Sequence, residues 1–204
     1  MAATLAERPG GKVLDVFRSS AEQQGAYDFL GNEQVRSADI LDAMQTATAR
    51  RCADEPWVHV VVDGTSLRLT DRRRTKNFGG IGSTDNGASG LKVVHAYAVS
   101  DCGVPIGLLN QQWWARERRK KRADCGRRPL EAKETRHWVN AIDQASAAVN
   151  GSGSKPWFQV DREGDRYWTL KRLRDTGGWF TVRSTYAHRF AFWEQRDDAD
   201  ACAT

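Results

Sequence analysis

The sequence predicts an α/β fold built on one mixed sheet, and three observations carry that expectation. Residues 57–63 (WVHVVVD) form a short, β-branched, almost continuously apolar run, the pattern of a strand buried on both faces. Residues 91–100 and 104–114 are two more apolar runs separated by the turn residues Asp101, Cys102 and Gly103, and they read as a hairpin. After them helical and strand patterns alternate, which is the signature of parallel pairing across helical crossovers.

Ahead of the sheet, residues 20–51 read as helical. Ser20 followed by Gln23 suits a capping box, and Ser37 can cap a second helix with Asp39 in its first turn. Ile40, Leu41, Met44 and Ala47 give that helix an apolar face, and Glu55-Pro56 ends it. Leu67 and Leu69 extend the first strand, and the polar, Gly-rich residues 71–90 read as a loop. FGGIGSTDNGASG within that loop has the look of a phosphate-cradling segment, but no Gly-Lys-Ser/Thr follows, so it reads as a strand connection.

A charged connection, residues 115–128, leads to a helix over 129–150 with proline in its first turn. Trp138, Ile142, Ala145 and Val149 fall on one side of it. Residues 157–161 make a fourth strand. Residues 165–176 make a short helix with Tyr167, Leu170 and Leu173 spaced by three, and residues 179–184 a fifth strand. Residues 186–204 have no period and read as an unstructured or divergent tail. The organisation expected is a helical segment over 1–54, an α/β core over 55–185 and that tail.

Composition narrows the function classes. The chain has 204 residues, 40% of them hydrophobic and 28% charged, an ordinary globular balance outside the disordered regime. Its net charge of +5 is compatible with nucleic acid or an anionic surface. Cys52, Cys102, Cys125 and Cys202 are far apart and form no C-x-x-C, which argues against a structural zinc site and for free thiols in a reducing compartment. No apolar stretch approaches the ~20 residues of a membrane span. The expected location is cytoplasmic, with no membrane partner.

Two aspartates carry the candidate chemistry. Asp63 closes the first apolar run, where a carboxylate can reach a metal at the sheet's edge; Asp63-Gly64 is equally a hairpin-turn signal. Asp161 closes the fourth run, where it can hold a metal or cap the next helix. Three meandering strands followed by helix-strand-helix-strand is the order of the ribonuclease H-like fold. In such a sheet the first and fourth strands are neighbours, so the two carboxylates would stand side by side. Their mutual repulsion is relieved by a hard divalent cation such as Mg2+ or Mn2+.

Four segments then resemble the DDE transposases of the insertion-sequence-four family, Tn-five-like branch. They are QQGAYDFLGNEQV with DAMQT, VVDGTSL, IGLLNQQWWARE, and VDREGDRYWTLKRL followed by WFTVRS. The likeness spans roughly residues 12–186. It implies catalytic, metal-ligating roles for Asp63 and Asp161 and a DNA contact for Arg183. It implies cut-and-paste DNA transposition: one strand cut at a transposon end, a hairpin formed by the freed 3′ hydroxyl, then attack on target DNA, each step assisted by two divalent ions. Transposon-end DNA is the implied partner, with a homodimer or mixed association with a full-length transposase. The basic run Arg116, Arg118, Arg119, Lys120, Lys121 and Arg122 can add phosphate contacts or stay a solvated loop.

Two departures matter. The family's tyrosine-arginine-glutamate-lysine signature is missing after Asp161, and Glu194 lacks its basic context. The family's earlier basic helices have no counterpart either. A fragment inactive by itself is therefore expected. The alternatives are a non-catalytic DNA-binding or inhibitory partner of a full-length transposase, and a stand-alone ribonuclease H-like nuclease using Glu163, Asp165 or Glu194.

Overall fold

The computed structural model describes residues 2–8, 10, 12–73, 75–82, 88–116 and 128–185. Four helices come first: α1 (Ala2–Glu7), α2 (Val13–Val16), α3 (Ser20–Gly31) and α4 (Ser37–Cys52). The capping box sits one residue earlier than the sequence suggests. Ser19, not Ser20, caps α3: its hydroxyl accepts from Glu22 N, and the Glu22 carboxylate accepts from Ser19 N at 3.2 Å. Ser37 is not a cap but the first residue of α4, whose N-terminus is flanked by Arg36. Asp39 does lie in the first turn, where it takes two hydrogen bonds from Arg36.

The sheet has six strands: β1 (Trp57–Arg68), β2 (Gly79–Gly80), β3 (Ser89–Val99), β4 (Pro105–Trp114), β5 (Lys155–Val160) and β6 (Trp179–Val182). β3 and β5 lie side by side with β1, β3 antiparallel and β5 parallel to it; β6 continues parallel beyond β5, and β4 pairs antiparallel with β3. The protein is thus α/β with a mixed open sheet. Within the Gly-rich connection, the two-residue β2 pairs with the start of β3.

β1 is longer than its apolar run. It continues past Asp63 because Gly64 to Arg68 stay paired with β3, which excludes the hairpin-turn role for Asp63-Gly64. β5 instead stops at Val160, so the parallel pairing ends beside Asp63.

Alternation decides which side of the sheet is buried. Val58, Val60 and Val62 of β1, Val94, Ala96 and Ala98 of β3, and Phe158 and Val160 of β5 are all buried in one core. The helix α5 (Thr135–Gly151) fills that side with Trp138, Ile142, Ala145 and Val149, as their spacing predicts. Pro129 precedes a separate 3-10 turn (Leu130–Ala132) rather than opening α5. The helix α6 (Tyr167–Asp175) adds Leu173, and an Arg172–Asp143 ion pair of 3.1 Å ties it to α5. Tyr167, expected on the buried side of α6, is 68% exposed; Thr169 is buried in its place.

α4 joins this core through Cys52 and buried Thr48. Its contact side therefore differs from the predicted one, and Ile40 and Met44 are exposed. Gly107, at φ +155°, allows this approach: a Cβ there would stand 2.5 Å from Thr48 Oγ1. A separate small cluster of Val16, Phe17 and Ala26 holds α2 against α3. No helix among the described residues is long and apolar enough to cross a membrane.

Candidate metal and nucleic-acid site

The two aspartates are neighbours because of register. Val62 pairs with Val160 across the parallel β1–β5 ladder, so Asp63 and Asp161 are the next residues on each chain. Parallel strands lie about 4.8 Å apart. Both residues alternate away from the α5 side and belong to the sheet's opposite face. Each has one local tether: Asp63 Oδ1 accepts from Gly64 N at 2.8 Å, and Asp161 Oδ1 from Glu163 N at 2.9 Å. The second bond makes Asp161 the cap of a 3-10 turn (Arg162–Gly164), so the capping role read from the sequence is present. Each carboxylate keeps its other oxygen for further ligation, and neither is ion-paired with a described residue.

The same row extends across the sheet. Arg183 N donates to Val160 O at 2.9 Å, which places Arg183 beyond the last β6 pair and next to Asp161 in sequence register. On the other side His95 lies directly opposite Asp63, and Gln111 opposite His95. The row thus reads Gln111, His95, Asp63, Asp161, Arg183. Sequence reasoning had picked three of its members. His95 and Gln111 were missed because only cross-strand register brings them to Asp63; the signal available was their position inside the two hairpin strands. Arg118, Arg119, Lys120, Lys121, Arg122 and Glu194 lie outside the described residues. Arg116 is committed within the chain, forming two bonds to Glu134 at 2.6 and 2.8 Å.

The candidate extra ligands diverge from the pair. Glu163 reaches over from the α5 side: its Oε2 would stand 3.4 Å from a Cβ on Gly64. Asp165 is 2% exposed and structural, accepting from Thr185 N at 2.6 Å and from the Ser184 hydroxyl at 3.5 Å. Among the described residues no group of three or more His, Cys, Asp or Glu side chains is placed to hold a metal ion.

Behind the pair, Trp138 supports both aspartate-bearing segments. A Cβ on Gly64 would come within 2.9 Å of Trp138 Cζ2, and one on Gly164 within 2.8 Å of Trp138 Cζ3. Gly64, next to Asp63, and Gly164, on the turn that follows Asp161, thus leave room for the indole, and a Cβ on Gly164 would also meet Val160. Next to this contact is a charged cleft of about 390 Å³ lined by Lys92, Arg116, Glu134, Glu163 and Arg166. Burial would raise the Glu134 carboxyl, yet the Arg116 bonds and charge hold it below the ordinary carboxylate range.

Trp114 lines the cleft, and His137 stacks flat on it, with centroids 4.1 Å apart and planes 6° apart. Burial, helped by Arg136, lowers the His137 pKa from 6.5 to about 4. The unfolded chain therefore takes up a proton below pH 6.5 that the folded chain refuses. Stability should be full above pH 6.5 and decline as pH falls toward 4, by roughly 1–2 kcal/mol after allowance for solvent screening. Urea midpoints measured from pH 7.5 to 4.5 should fall in the wild type, and less steeply in His137→Phe, which keeps the stack.

No protein-family model matches this chain.

Proposed function

We propose that this chain is the ribonuclease H-like core of a DDE-type transposase resembling the insertion-sequence-four family, with Asp63 and Asp161 as ligands for Mg2+ or Mn2+. One observation carries the reading: the β1–β5 register sets two carboxylates side by side, with neither ion-paired to a described residue. Support also comes from the spatial order β4-β3-β1-β5-β6, with antiparallel pairing on one side of β1 and parallel pairing on the other. Mg2+ suits such a donor pair, because it is commonly bound by one or two carboxylates while keeping several waters.

Divalent ions held there would supply Lewis-acid assistance to in-line displacement at a DNA phosphodiester. The chain's own residues divide the remaining work. The tethers from Gly64 N and Glu163 N fix one oxygen of each aspartate and leave the other for ligation. Arg183, at the end of the same row, would contact a backbone phosphate and position DNA without reading its sequence. Among the described residues two carboxylates suffice for one shared ion and leave a second ion poorly held, so this chain is proposed to cleave little.

The test is nicking of supercoiled plasmid DNA with Mg2+ or Mn2+, together with Mn2+ binding followed by paramagnetic resonance. The expected result is Mn2+ binding that depends on both aspartates, with nicking close to background. Robust nicking abolished by Asp63→Ala would show a complete nuclease instead. An absence of aspartate-dependent Mn2+ binding would sink the metal role.

A further inference from the structure

We infer that His95 is a positioning residue of this site: a neutral imidazole, locked with its proton on Nε2, that restrains Asp63 without ligating metal. The inference rests on the reading of Asp63 as a metal ligand and starts from a hydrogen-bond chain on the open face. Trp113 Nε1 donates to Gln111 Oε1 at 3.1 Å, and the Gln111 amide nitrogen meets His95 Nδ1 at 2.9 Å. An indole N–H can only donate, so the amide atom it meets must be the oxygen. The Gln111 NH2 therefore faces the imidazole and donates to it. Nδ1 must then carry a lone pair, and in a neutral ring the proton resides on Nε2.

The placement gives this tautomer a use. His95 is the direct antiparallel partner of Asp63, and opposed residues carry their Cβ atoms about 4.5–5.5 Å apart. His95 and Asp63 share no hydrogen bond in this structure; Asp63 Oδ1 accepts from Gly64 N, and the Nε2–H across the ladder is the donor placed to engage the carboxylate's other oxygen. A metal ligand needs a free nitrogen lone pair. His95 has none to offer, since Gln111 occupies one nitrogen and a proton the other. His59 differs: Gln159 meets its Nδ1 at 3.2 Å, but no described indole fixes that amide.

Long-range proton–nitrogen NMR of the full chain reads the tautomer directly. The expected spectrum has His95 as a single Nε2–H form. Trp113→Phe keeps a ring at a half-exposed position, removes the donor and should yield a mixture of tautomers. Mn2+ affinity should fall about tenfold in His95→Leu and be largely restored in His95→Gln, which keeps a donor. An Nδ1–H form in the wild type overturns the inference. So does a His95→Leu variant that binds Mn2+ as the wild type does while Asp63→Asn does not. If the wild type shows no Asp63-dependent Mn2+ binding, the metal reading fails together with this one.

Discussion

Asp63→Asn should remove the Mn2+ binding of this chain, and Asp161→Asn should do the same. Each substitution keeps shape and the local tether, since the amide oxygen can still accept from Gly64 N or Glu163 N. What disappears is negative charge on a hard oxygen ligand. Losing a group that only orients a ligand already costs about 10- to 100-fold in metal affinity, so losing one of two ligands should cost ~100-fold or more. Both folds should survive, because Asp63 is exposed and Asp161 only half-buried. Mn2+ titration followed by paramagnetic resonance, beside a circular-dichroism melt, separates the two effects. Unchanged affinity in both single variants would mean that the ion sits elsewhere.

Trp138→Ala should cost about 3–5 kcal/mol, the range for truncating a buried large aromatic. Trp138 is 7% exposed and belongs to the main core, so its loss leaves a cavity under the sheet. Its effect on the site should exceed that of a comparable core truncation. The indole backs Gly64 and Gly164 together, so removing it frees the chain next to both aspartates. Urea unfolding measures the first effect and Mn2+ affinity the second. Leu173→Ala is the control: Leu173 is fully buried in the same core but belongs to α6. If the two variants lose equal stability and Mn2+ affinity falls equally, Trp138 has no special bearing on the site.

Much of the scaffold was legible in the sequence. The apolar runs of β1, β3, β4 and β5 and the Trp138-Ile142-Ala145-Val149 stripe mark elements that bury a continuous surface, and such patterns are local; β6 was legible as a strand although Trp179 and Phe180 stay exposed. Errors fell where local pattern and packing disagree. Ile40 and Met44 have helical spacing, but α4 packs through Thr48 and Cys52 because Gly107 opens β4 there. Tyr167 has the spacing of Leu170 and Leu173 yet stays exposed. Neither capping error changed a helix, since Ser19 and Ser20 are adjacent and α4 begins after Arg36 without a side-chain cap bond.

The sequence by itself determined the order of the main strands and placed Asp63 and Asp161 at the ends of apolar runs, while Arg183 was singled out only by the family resemblance. The tertiary structure decided what those residues can do. Only the parallel β1–β5 register sets one aspartate beside the other, and only the antiparallel registers add His95 and Gln111 to their row. The β1–β5 register joins residues as distant in the chain as Val62 and Val160. Registers are selected by which faces α5 and α6 bury rather than by any local signal. The same burial turned Asp165 inward as a structural acceptor and sent Glu163 to the α5 side, separating two acids that stand close to Asp161 in the sequence.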